Sequence, residues 1–129
     1  MGKIMAKLTE RVCRAWDNKE DKLVFATVDR GGNPNVVWVS CVRRLDDERL
    51  LIVNNFFHKT LENVLSGSIG SLLFIAPERE AYQIKGTLSY HTDDDIYKDM
   101  KAWLDPKFAG VGAIVLTVTE VYFGAEKIT

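Results

Sequence analysis

The chain has 129 residues, 47% of them hydrophobic and 27% charged, and 17 basic against 18 acidic residues leave a formal net charge of -1. That length and balance predict one domain over residues 1–129 with its own core. The near-neutral charge excludes a nucleic-acid or anionic-membrane surface built on basic excess.

Two cysteines, Cys13 and Cys41, form no CxxC pair and support neither a zinc site nor a disulfide scaffold. They are expected as buried thiols in a reducing compartment. The first residues, MGKIMAKLTERVCRAW, lack the apolar stretch and cleavage site of a signal peptide. Gly2 invites myristoylation, but Ala6 stands where that signal needs Ser or Thr. No apolar run approaches the roughly 18 residues of a membrane span. A cytoplasmic protein is expected.

The elements follow in chain order. Ile4, Leu8, Val12 and Trp16 recur every fourth residue, with Met5 and Ala15 beside them, and predict an amphipathic helix over 3–18. Residues 22–29 read as a strand, RGGNP at 30–34 as a turn, and residues 35–44 as the returning strand of a hairpin. LDDE at 45–48 turns the chain into a strand over 49–54. Residues 58–67 predict a short helix stopped by Gly67. Strands follow over 71–76, ended by Pro77, and over 81–92, where Gly86 marks a bulge or close approach. Residues 93–104 predict a helix capped by Thr92 or Asp93, with Ile96, Met100 and Trp103 on its apolar face. The last strand covers 111–124. Six strands without βαβα alternation exclude a parallel Rossmann-like sheet and predict a mainly β, antiparallel barrel with about three short helices.

GxSxG, GxGxxG, Walker A and HExxH motifs are all missing. His58 and His91 are the only histidines, and neither has a partner at metal-ligand spacing. The acidic clusters Asp46-Asp47 and Asp93-Asp94-Asp95 read as a solvated turn and a helix start. The informative segment is NNFFHKTLEN at 54–63, which ends a strand and opens a helix. Open N–H groups there, the charge of Lys59 and donors on Thr60 and His58 would suit a phosphate. Thr60 as a simple N-cap and Lys59 as a surface charge is the other reading. Trp38, on one strand face with Val36, Ser40 and Val42, would flank a planar ligand or fill the core. Gln83, inside a long strand, faces either solvent or a cofactor edge.

These segments together resemble the pyridoxamine-phosphate-oxidase-like, FMN-binding split-barrel family from about residue 22 to residue 124. They look most similar to its small single-domain FMN-binding members. The carriers are VVWVS around Trp38, LDDERLLIV, His58-Lys59-Thr60-Leu61-Glu62-Asn63 as an HKTxxN segment, KGTLSYHTD at 85–93 and AIVLTVTEV at 113–121.

The resemblance implies a six-stranded antiparallel split β-barrel. It also implies a homodimer with FMN at the subunit interface. By the same carry-over, Lys59 and Thr60 hold the FMN phosphate with His58 beside them, and Asn63 completes the segment. Val37, Trp38, Val39 and Ser40 pass along the flavin, as do Val53 and Asn54, and Gln83 lies near it. Trp103 or Tyr122 from the second subunit would complete the site. Val36 and Val37 depart from the polar residues of many relatives. No arginine pair follows Gln83, where Ile84 and Lys85 stand, so the vitamin B6 reaction is not expected.

The function implied is a flavin redox protein, a reductase or electron-transfer protein served by a nicotinamide donor or a redox partner protein. The alternatives are a non-catalytic module for FMN, the deazaflavin F420 or haem, and a barrel that has lost its cofactor.

Overall fold

Residues 34–44 close this fold, and they do so by changing partners halfway. The computed structural model describes residues 6–129. Its elements are α1 (Glu10–Asp17), β1 (Leu23–Val28), β2 (Pro34–Val39), β3 (Val42–Arg44), β4 (Arg49–Asn54), α2 (Lys59–Leu65), β5 (Ile69–Ala76), β6 (Glu80–His91), α3 (Asp95–Trp103), β7 (Gly112–Phe123) and β8 (Glu126–Lys127). The strands form one antiparallel sheet in the order β2-β1-β5-β6-β7-β4-β3, with β8 on β7.

β2 and β3 stand at opposite ends of that order, yet only Ser40 and Cys41 separate them. One stretch of backbone therefore joins both edges of the sheet and rolls it into a barrel. The first half pairs with β1, Val24 opposite Trp38, and the second pairs with β4, Val42 opposite Ile52. This corrects the single strand expected over 35–44. NVVWVSCVRR contains no glycine or proline to mark a change in partner. With β8 added, the expected six strands become eight among the described residues.

The N-terminal helix starts later than its spacing predicts. Thr9 Oγ1 accepts from Val12 N at 3.3 Å and caps α1 at Glu10. Ala6 and Leu8 instead bond through their backbone N–H groups to Val118 O and Asp47 O, at 3.0 and 2.7 Å. Leu8 is buried all the same. Its place in the four-residue spacing reflects burial, not helix. Ile4 and Met5 lie outside the described residues.

The barrel interior holds Leu23, Phe25, Leu50, Ile52, Leu72, Phe74, Tyr82, Ile84 and Leu116, all essentially inaccessible. α1 covers it with Val12 and Trp16, whose indole meets the Phe74 ring edge-on at 5.3 Å. Each such side chain contributes about 1.5–3 kcal/mol by leaving water. A smaller cluster lies outside the barrel wall, where Met100 and Leu104 of the α3 region cover Leu51, Val53 and Ala113. β4 is thus buried on both faces, which explains why RLLIVN lacks alternation.

The β6–β7 register shifts at Lys85/Gly86, leaving Thr119 as the extra residue. A Cβ on Gly86 would collide with the Thr117 carbonyl oxygen. Asp94, rather than Thr92 or Asp93, caps α3, accepting from Tyr97 N at 3.1 Å. Cys13 and Cys41 are half-buried, not buried as expected. Cys13 lies within α1 and Cys41 in the break between β2 and β3. No helix among the described residues is long and apolar enough to cross a membrane.

Candidate functional site

The division between β2 and β3 opens a cleft of about 400 Å³. Where the strand changes partners it can no longer be paired along both halves of one edge, and the wall parts. Val37, Trp38, Val39 and Ser40 form one side, and Val53 joins them from the end of β4. Five of the expected residues thus meet at one place. Phe56, Phe57 and Phe108, which the sequence reading did not single out, complete an apolar lining together with Cys41 and Asn55. The doubled aromatic in NNFF was the available signal.

Asparagines fix the loop that carries these aromatics. Asn54, nearly inaccessible, donates to Tyr90 OH at 2.9 Å and accepts from Phe57 N at 2.8 Å. Its side-chain amide is therefore committed to the fold. Asn55 accepts from Gly110 N at 2.8 Å and directs its amide at Cys41 Sγ, 3.6 Å away. Phe57 turns inward against Phe25, 6.4 Å between centroids, while Phe56 is 85% exposed.

Trp38 is not a core tryptophan. It is 70% exposed, because it leaves β2 on the outer face together with Val36. The run Val36-Val37-Trp38-Val39 reads as uniformly apolar, which hides the alternation that turns Trp38 outward.

The loop leads directly into α2. His58 is its N-cap residue and makes no side-chain cap bond, so Thr60 is not the cap. The first helical bond runs from Glu62 N to His58 O at 3.1 Å. The N–H groups of Lys59, Thr60 and Leu61 precede it and have no helical acceptor. His58 and Lys59 are exposed, whereas Thr60 is 2% exposed. Its hydroxyl accepts from Asn35 Nδ2 at 2.9 Å, which leaves the hydroxyl proton free to donate. Asn63 is buried and donates to Thr27 Oγ1 at 2.9 Å, bolting α2 to β1. Lys59 also acts on Asp29 in the β1–β2 turn. The Asn33 backbone N–H chiefly holds that carboxyl below its ordinary value, and Lys59 contributes to the same effect.

Gln83 stands apart. It shares a row of side chains with Trp38, Val24 and Leu73 across β2, β1, β5 and β6. Three strand spacings, roughly 14 Å, separate it from Trp38. It lines a second depression of about 250 Å³ with Ala26, Ser71 and Lys85. Tyr122 continues that row opposite Gln83 and donates to Glu120 at 2.7 Å. Trp103 lies in the α3 cluster, with the Arg43 guanidinium 4.9 Å from its ring centroid.

An antiparallel barrel closed through a divided strand, with a cleft at the division, is a split β-barrel. The chain belongs to the pyridoxamine 5'-phosphate oxidase family, whose model matches residues 9–124. An uncharacterised protein of Methanocaldococcus jannaschii, MJ0282, is 33% identical over 127 residues, covering 94% of this chain and 83% of its own. A putative pyridoxamine 5'-phosphate oxidase of Lactobacillus delbrueckii superposes with a TM-score of 0.77 at 29% identity, over 90% of this chain and 93% of that one. An FMN-binding protein of Syntrophomonas wolfei does so at 0.66 and 17%, over 84% and 79%. HutZ, the haem storage protein of Vibrio cholerae, reaches 0.67 at 15%, over 92% and 95%. The last two share the fold.

Proposed function

We propose that this chain is an FMN-binding redox protein whose flavin lies in the cleft at the β2–β3 division. The supporting observation is the adjacency of that apolar, aromatic-lined cleft to the uncapped start of α2 with Lys59. The cleft suits a planar ring system. The α2 start suits a phosphate: open N–H groups, one full positive charge and a Thr60 hydroxyl whose proton is free. The family membership and the FMN-binding relative of the same fold support the choice of cofactor. FMN, when bound, supplies the electron chemistry, and the chain's residues bind and orient it. Val37, Trp38, Val39, Ser40 and Val53 wall the ring, while Asn54 and Asn63 hold the loop and helix that present His58, Lys59 and Thr60.

A second copy of the chain completes the site in this reading. Val36, Trp38, Leu73 and Ile75 leave an apolar outer face on β2, β1 and β5. Gln83 and Tyr122 border that face, so a partner packed on it would bring their equivalents toward the cleft.

The test is a titration with FMN and with riboflavin, which lacks the phosphate. FMN binding at least about tenfold more tightly, the worth of one charge-assisted contact, supports the clamp. Equal affinities sink it. The haem storage protein of the same fold supports one other reading, a non-catalytic haem-binding module. Uptake of haem with no uptake of FMN would establish that reading in place of the first. For the redox role, reduced flavin on the protein must reoxidise with an added acceptor faster than free flavin does.

A further inference from the structure

Where β6 runs into α3, three side chains connect that the flavin reading does not use. Ser89 and His91 are two apart on β6, so both leave the same face of the strand. His91 Nδ1 lies 2.5 Å from Asp94 Oδ2, and His91 Nε2 lies 2.7 Å from Ser89 Oγ.

The proton positions follow from the chemistry of the groups. A carboxylate has no proton to give, so Nδ1 of the neutral ring carries the hydrogen and donates to Asp94. Nε2 is then the acceptor, and the Ser89 hydroxyl donates to it. A serine whose proton points at a histidine, with a carboxylate orienting that histidine from behind, is the connectivity of an activated serine nucleophile, which is recognised by geometry and not by sequence order.

The carboxylate is itself held in place. Its other oxygen, Oδ1, accepts from Tyr97 N at 3.1 Å as the cap of α3. The His91 hydrogen bond first, and the Tyr97 N–H second, hold the Asp94 carboxyl below its ordinary value and keep it charged. The His91 side chain is 18% exposed, so packing restrains the ring, while Ser89 is exposed to incoming reagents. None of the three lines the cleft at the strand division.

We propose that Ser89 is a nucleophile, activated by His91 and positioned through Asp94, that reacts with small activated acyl esters. The substrate class follows from the setting. Ser89 itself is exposed, while Val115 opposite it on β7 is buried, an approach that suits a short acyl group, and an ester with a good leaving group makes the least demand on its surroundings. In the reaction the Ser89 oxygen bonds to the acyl carbon as its proton passes to His91 Nε2. The carbon–oxygen bond to the leaving group then breaks, and that oxygen departs with the electron pair and takes the proton from His91. Water attacks the acyl-serine with the same proton passage, releasing the carboxylic acid and restoring the hydroxyl.

The test uses the full chain and a fluorophosphonate probe, with the labelled peptide read by mass spectrometry. p-Nitrophenyl acetate turnover is followed in parallel. The wild type is expected to carry the label on Ser89, and Ser89→Ala to carry none there. His91→Gln and Asp94→Asn should label at least about a hundredfold more slowly, the low end of what general-base assistance supplies. Asn caps a helix as well as Asp does, so Asp94→Asn keeps α3 while removing the charge. Asp94→Asn should lower kcat for p-nitrophenyl acetate and leave KM near the wild-type value, a split that lost packing alone would not produce. Ser89→Ala should bind FMN as the wild type does, which separates this site from the flavin cleft. An unlabelled Ser89 in the wild type, or an undiminished rate in His91→Gln, overturns the proposal.

Discussion

The side-chain amide of Asn35 donates to the hydroxyl oxygen of Thr60 at 2.9 Å, joining the strand that walls the cleft to the helix that carries Lys59. Thr60 is buried, so the bond has little competition from water. Thr60→Val keeps the shape and leaves the Asn35 amide without its acceptor. Urea denaturation should show a loss of about 1–3 kcal/mol, and Thr60→Ser should restore much of it. An unchanged midpoint in Thr60→Val would mean that the bond does not anchor α2.

Asn63 and Thr27 make a second tie, in a dry environment. Asn63→Ala should cost about 1–3 kcal/mol, since it strands the Thr27 hydroxyl. The double variant Asn63→Leu with Thr27→Val should lose less than the two single losses added together, because it leaves neither partner unsatisfied. Strict additivity in denaturation midpoints would contradict that coupling.

Gly86 is where β6 passes closest to β7. Any Cβ there meets the Thr117 carbonyl oxygen, which is backbone and cannot swing aside. Gly86→Ala should therefore lower stability by about 1–3 kcal/mol, the range for a forced clash in a packed core. A loss below 1 kcal/mol, small beside that range, would show that the two strands separate easily at the bulge.

The outer face of β1, β2 and β5 carries the dimer prediction. Leu73 lies in one row with Val24 and Trp38 and is 41% exposed. Leu73→Glu places a charge in the centre of that face. Sedimentation should give a dimer for the wild type and a monomer for the variant, with weakened flavin binding in the monomer. A monomeric wild type would remove the shared site.

Acid should loosen the start of α3. The His91 hydrogen bond chiefly depresses the Asp94 carboxyl below its ordinary 3.8. A carboxyl depressed in the folded state adds stability that is fully present above the unfolded value, and that stability is lost as pH falls through the lower folded value. The wild type should therefore lose stability below about pH 4 more steeply than Asp94→Asn. Parallel acid limbs in circular dichroism would exclude this contribution.

Much of the fold was legible because its local signals agree with one another. RGGNP, LDDE, Pro77 and Gly86 punctuate the strands where the sheet turns or bulges. The closure was not legible. Residues 35–44 look like one strand, and only the tertiary partners, β1 for one half and β4 for the other, divide it. The start of α1 was misplaced for a similar reason, since Leu8 is buried by backbone pairing and not by a helix. In the candidate site, five of the strand residues singled out in the sequence line one cleft, and the HKTxxN segment follows the Phe56-Phe57 pair that lines it too. The roles of Asn54, Thr60 and Asn63 as internal ties depend on partners 25–36 residues away in sequence, which spacing cannot reveal. The Ser89–His91–Asp94 contacts were hidden because two histidines without a metal-ligand pattern offered no motif.

The most direct measurement is the visible spectrum of the protein, mixed with FMN and passed through a desalting column, for the wild type and Lys59→Ala. The account predicts a flavin band that stays with the wild type, and an affinity weaker by about 1.5–3 kcal/mol in Lys59→Ala. A wild type that emerges colourless, or a variant that holds FMN equally well, would contradict it.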